Sequence, residues 1–134
     1  MSAMIPEAFR DLLADDCRAF AVLGTIMPDG APQVTPVWFD SEGDLLRINT
    51  ARGRVKERNL TARPQAALAI LDPQNPYRYM QVRGRVVEVT ERNAREHIDR
   101  LAHKYTGAER FENLRPGDVR VIFKIRPESV STTG

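Results

Sequence analysis

Residues 19–50 read AFAVLGTIMPDGAPQVTPVWFDSEGDLLRINT. Two clusters of turn residues, PDGAP (28–32) and SEGD (41–44), divide the stretch into three apolar runs. Pro, Asp, Gly and Ser favour reversal of the chain, so each cluster predicts a turn. AFAVLGTIM (19–27) is apolar enough for a largely buried strand, QVTPVWFD (33–40) is a second and LLRINT (45–50) a third. Pro36 cannot donate to a ladder, which requires an edge position or a break. Three short strands with tight turns predict an antiparallel meander.

Upstream, IPEAFRDLLADD (5–16) carries Phe9, Leu12 and Leu13 at helical spacing, with Pro6 suited to a first turn. Downstream, a helix is predicted over 54–62 and ends before Pro64. QAALAILD (65–72) is a fourth strand and PQNP (73–76) a loop. YRYMQVRGRVVEVTE (77–91) alternates, but its phase shifts after Gly84, which predicts one long bent strand or two. RNAREHIDRLAHKY (92–105) has the apolar stripe of a helix, TGAERFENLRPGD (106–118) is a loop, and VRVIFKIRPESV (119–130) alternates as a last strand with Val119, Val121, Phe123 and Ile125 on one face. About six strands with few helices predict a mainly β fold, a small barrel with flanking helices, in one domain spanning 1–134.

The chain of 134 residues is long enough to bury a core without disulfides, and its one cysteine, Cys17, cannot form an internal one. Cys17 has no histidine partner in view and reads as an inert thiol. A cytoplasmic protein is expected. The N-terminal residues are acidic and lack the blocks of a signal peptide, and no run approaches the roughly 20 apolar residues of a membrane span. His97 and His103 lie six residues apart on one helix without sharing a face, so they are expected to be surface or partly buried rather than metal ligands. Asp15, Asp16, Glu88 and Glu91 read as exposed carboxylates. No glycine-rich dinucleotide turn, P-loop or catalytic triad is present.

Charge is the unusual feature. The formal net charge is only +2, yet NTARGRVKERNLTARP (49–64) holds five cations, Arg52, Arg54, Lys56, Arg58 and Arg63, against one acid, Glu57. The protein is a near-neutral body with one positive spot, and that spot contains no aromatic residue to stack on bases, so nucleic acid is not an expected partner. A helix start disfavours cations and favours anions. Arg54 and Lys56 at the start of the helix therefore call for a bound phosphate or carboxylate, or else form a solvated basic face. For both to reach one anion, the helix has to begin near Lys56. Gly53 would permit a positive φ or a close backbone approach there.

TIMPDGAPQVTPVWFD, LLRINTARGRVKERNLTARPQAALAILDP and YMQVRGRVVEV, in that order, resemble the pyridoxamine-5′-phosphate-oxidase-like split β-barrels, and within them the branch that binds the deazaflavin coenzyme F420. The most specific pieces run from Thr50 to Leu60 and from Val82 to Arg85. The resemblance implies a six-stranded antiparallel split β-barrel, a homodimer with cofactor sites at its interface, and hydride transfer between reduced F420 and a small unsaturated organic acceptor. It implies that Arg54 and Lys56, with Val55 between them, meet the cofactor phosphate. Gln33, Thr35, Pro36 and Val37, with Ile48, Asn49 and Thr50, would line the ring and its linker, and Tyr77 and Tyr79 would supply an aromatic wall to the partner subunit. FMN is the alternative cofactor, and a non-catalytic F420 carrier the alternative role. Water, Tyr77, Tyr79 and Thr35 are equivalent proton sources on this reading. The substrate-phosphate residues of true pyridoxamine-phosphate oxidases find no room, so vitamin B6 oxidation is not expected.

Overall fold

The apolar runs form one antiparallel sheet. The computed structural model describes residues 4–134; residues 1–3 of the expected domain lie outside the described residues. The strands are β1 (Phe20–Ile26), β2 (Pro32–Val37), β3 (Asp40–Glu42), β4 (Leu45–Ala51), β5 (Gln65–Asp72), β6 (Asn75–Thr90) and β7 (Arg120–Thr133), in the order β2-β1-β5-β6-β7-β4-β3. Helices α1 (Val55–Ala62) and α2 (Ala94–Thr106) interrupt them. The fold is mainly β, as expected, but the sheet has seven strands rather than six and is not closed.

The additional strand comes from the stretch expected to finish the second strand and turn. The chain leaves β2 at Val37, crosses Trp38 and Phe39, and pairs again at Asp40 with β4, in register Asp40↔Arg47. Phe39 drives this crossing, because its ring is fully buried in the core. The two strands so linked are the two edges of the sheet. Three peptide links separate Val37 from Asp40, so the edges approach within about 11 Å, yet they do not pair. The sheet thus curls into a barrel split along one seam.

Proline accounts for the split. Pro32 and Pro36 share one parity of β2, whose only partner among the described residues is β1. A proline tolerated in a paired strand turns its missing N–H to the free side. Two of the three positions facing the seam therefore lack a donor, and β3, paired with β4 on its other side, finds no ladder across the seam.

Other differences from expectation are local. The N-terminal segment is a 3-10 helix, Glu7–Leu13. Phe9 and Leu12, three apart, are both buried, a spacing that eclipses in a 3-10 turn, and the chain is extended again by Ala14. The expected loop at 73–76 is a two-residue turn, with Asp72 opposite Asn75 and the Gln74 amide donating to Asp72 Oδ1 at 2.8 Å. The stretch after it is a single strand, β6, with register shifts at Arg83/Gly84 and Val86/Glu88. β7 starts at Arg120 and leaves Val119 exposed.

Leu46, Ile48, Ile70, Met80, Phe123 and Ile125 fill the barrel interior. Outside it, α2 packs against β4 and β7. It also pins the crossing: Lys104 Nζ donates to the Phe39 carbonyl at 2.8 Å, Tyr105 Oη to those of Ala19 (2.8 Å) and Phe39 (3.4 Å), and His97 Nε2 lies 2.9 Å from Asp40 Oδ1. His97 is therefore buried, not a surface residue, while His103 is exposed.

Candidate binding site at the open seam

An apolar-walled opening follows from the split. A cavity of about 480 Å³ is lined from one side of the seam by Phe20, Ala21, Val22, Pro36, Val37 and Trp38, and from the other by Asn49, Thr50 and Arg120. α1 contributes Arg54 and Lys56, α2 contributes Ile98, Leu101 and Tyr105, and the loop after α2 adds Phe111 and Asn113. Its size is that of a pocket for a small organic ligand. Trp38 stacks on Tyr105, with centroids 5.6 Å apart, and meets Phe111 edge-on at 6.1 Å.

The start of α1 is built for two cations to face one place. Gly53 has φ 92°, and Arg54 is extended (φ −71°, ψ 156°) with the helix beginning at Val55. This late start is what the spacing of Arg54 and Lys56 requires, and both line the cavity. Glu57, nearly buried, reaches back across the first turn: its Oε1 accepts from the Gly53 amide at 2.7 Å and its Oε2 from Thr61 Oγ1 at 2.8 Å. The acid of the segment is thus spent on the turn, not on Arg54 or Lys56. Among the described residues no side chain caps α1, so its first amides stay available to an anion.

The neighbouring cations are used structurally. Arg52 pairs with Glu91 (3.1 Å) and Glu57 (3.6 Å), and Arg63 ties α1 to the Ile26 carbonyl (2.8 Å) and Asn59 Oδ1 (3.2 Å). Arg58 is exposed.

A third cation joins Arg54 and Lys56. Arg120, at the start of β7, donates from Nε to Asn49 Oδ1 at 2.9 Å and lies over the Phe111 ring at 5.3 Å. Among the described residues none of the three is within 4.0 Å of a carboxylate oxygen. Burial pushes the Lys56 pKa down, and the charges of Arg54 and Arg120 add to that. Burial likewise lowers Arg120, with Asp118 opposing and Arg54 and Arg95 reinforcing the shift. Three like charges beside apolar walls, without a counterion, match a ligand that carries its own negative charge.

Of the residues implicated by sequence, Pro36, Val37, Asn49, Thr50, Arg54 and Lys56 line this one cavity. Gln33 and Thr35 lie further along β2, outside the lining, and Val55 is the first residue of α1. Ile48 is wholly inside the barrel, a wall's foundation rather than its surface. Tyr77 and Tyr79 are on β6, outside this chain's cavity, with Tyr77 82% exposed. Arg120, Tyr105 and Phe111 carry no individual signal in the sequence: Arg120 reads as a routine polar position in an alternating strand.

A cationic helix start and apolar walls meet at the opening of the split barrel. The chain belongs to the pyridoxamine 5′-phosphate oxidase family, whose match spans residues 5–134. It is 35% identical to a solved F420 reductase over 95% of this chain and 98% of that one, with a TM-score of 0.81. A conserved hypothetical protein from Mycobacterium tuberculosis has the same fold at 22% identity, covering 98% of this chain and 86% of that one, TM-score 0.71. So does a pyridoxamine 5′-phosphate oxidase-related, FMN binding protein from Nostoc punctiforme, at 14% identity over 97% and 85%, TM-score 0.66. No curated protein matches the chain in sequence.

Proposed function

We propose that this protein is an F420-dependent oxidoreductase. The observation that carries the reading is the set of uncompensated cations, Arg54 and Lys56 foremost, at the uncapped start of α1 beside an apolar cavity. The likeness to an F420 reductase at 35% identity supports it. When bound, reduced F420 supplies a hydride for a small unsaturated acceptor. Arg54 and Lys56 would hold the cofactor phosphate, helped by the first amides of α1. Pro36 and Val37 on one side of the seam and Asn49 and Thr50 on the other would grip the ring and its linker. Trp38, Ile98 and Leu101, which line the cavity, would wall off the reacting face and limit the water that reaches it.

On the same reading the protein is a homodimer, with Tyr77 and Tyr79 walling the partner's site. Phe20 and Val34, exposed at 62% and 68% on β1 and β2, support an apolar contact there. A monomeric mass by light scattering would remove the dimer.

FMN is the second reading, since it too joins a flat ring to a phosphate, and the Nostoc punctiforme relative of the same fold is FMN-binding. A fluorescence titration with F420 decides: saturable binding at micromolar cofactor is expected, and its absence sinks the proposal. Protein that purifies yellow and releases a flavin spectrum would turn the assignment to FMN. Tight F420 binding without oxidation by any quinone, enone or nitro compound would make the protein a carrier.

A further inference from the structure

We infer that Arg120 is a third anion-binding cation of the cavity, and that His97 is the positioning residue that holds it there through Asn49. This inference rests on the anion-binding reading of the cavity given above.

The chain of contacts begins in the protein interior. Asp40 accepts from Arg47 at both oxygens, from Nε at 2.9 Å and Nη2 at 2.7 Å. It is 2% exposed, and His97 is 3% exposed. A carboxylate held this way only accepts, so the His97 Nε2 at 2.9 Å carries the proton. The other ring nitrogen, Nδ1, lies 3.1 Å from Asn49 Nδ2. An amide nitrogen only donates, so Nδ1 accepts, and His97 is the neutral Nε2–H tautomer.

The second hydrogen of Asn49 Nδ2 goes to the Ala94 carbonyl at 2.8 Å. The amide therefore has one orientation, with Oδ1 turned to β7, where it accepts from Arg120 Nε at 2.9 Å. Turning Asn49 over would set its oxygen against the Ala94 carbonyl and the Nδ1 lone pair, and its amide hydrogens against Arg120 Nε–H. Every bond from Asp40 to Arg120 thus has a fixed polarity. Phe111, under the guanidinium at 5.3 Å, restrains it from another side. Arg120 is held by Nε alone, and its two Nη groups, which bond nothing in the protein among the described residues, are left for a ligand. A guanidinium in this position adds a planar fork to the point charge of Lys56.

A purely structural role for Arg120, bridging β4 to the loop that carries Phe111, predicts a different outcome in a double-mutant cycle. His97 and Arg120 do not touch, so independent structural roles would give additive effects on binding. F420 is titrated by fluorescence into the full chain, wild type and variant, with thermal unfolding recorded for each. Arg120→Met is expected to weaken F420 binding about tenfold, as loss of one charge-assisted contact does. His97→Phe is expected to weaken it about fivefold, and the double variant no more than Arg120→Met alone. His97→Leu, a smaller side chain at the same buried position, repeats the cycle if His97→Phe does not fold, with the same expected non-additivity. Additive losses overturn the positioning role of His97, and wild-type affinity in Arg120→Met overturns the inference altogether. A wild type that binds neither F420 nor FMN overturns the function and this inference together, whereas a binding wild type isolates the failure to Arg120.

Discussion

Lys56 shows how one residue is set against its own stability. It is half-buried, without a carboxylate partner, and faces Arg54 and Arg120. Burial first, and like charge second, favour its neutral form. Folding therefore gains nothing from its charge, while a bound anion gains a great deal. Lys56→Ala is expected to weaken F420 binding more than tenfold, as loss of a desolvated charge contact can, and to leave the ligand-free protein melting no lower than the wild type. Arg58→Ala, at an exposed position, is expected to have a smaller effect on binding. Equal losses in a fluorescence titration would show that the phosphate is elsewhere. Arg54 and Lys56 were legible in the sequence because charge opposed the helix dipole within a few residues. His97 and Arg120 were not, since their partners Asp40 and Asn49 stand 57 and 71 residues away in the chain. A lone histidine on a helix carries no mark of such a partner.

Among the elements, β6 is the one that shapes the barrel. It pairs with β5 between Asn75 and Arg85 and with β7 between Tyr79 and Thr90. Its register shifts beside Gly84, and there the β7 backbone comes so close that a Cβ on residue 84 would lie 2.5 Å from the Arg126 carbonyl oxygen and 2.9 Å from Ile125 Cγ2. The break in alternation after Gly84 predicted a bend, and this contact is its physical reason. Gly84→Ala is expected to destabilise the fold by about 1–3 kcal/mol, the usual range for overpacking against a rigid neighbour. Urea unfolding measures it, and an unchanged midpoint would mean that β7 yields freely. Alternation made the long strands legible. It could not reveal β3, because three residues have no period and Asp40 is buried by partners on β4 and α2. It also could not separate a 3-10 from an α-helix over the few residues before β1, where both place Phe9 and Leu12 on one side.

At the scale of the molecule, Asp40 joins the seam to α2 and so couples the barrel's integrity to acid. Burial alone would raise its pKa, but the hydrogen bonds from His97 and Arg47 prevail and hold it at about 2, against an ordinary 3.8. A depressed carboxylate stabilises the fold above its unfolded pKa and loses that contribution as pH falls through the folded one. The window is therefore about pH 4 down to about pH 2, and the contribution at neutral pH is about 2 kcal/mol. Asp40→Asn is expected to lower stability at neutral pH and to flatten the acid limb across that window in urea unfolding at stepped pH. An acid limb of unchanged slope would assign acid sensitivity to other carboxylates.

The same seam has a consequence for behaviour at high concentration. An unclosed sheet exposes two borders, and an exposed border invites strands from other molecules to add on without limit. Here one border carries Pro32 and Pro36 at alternate positions, and the other is the three residues of β3. A foreign strand would find too few donors on the first and too little length on the second. The opening that makes room for a ligand is thereby kept from becoming a template for aggregation.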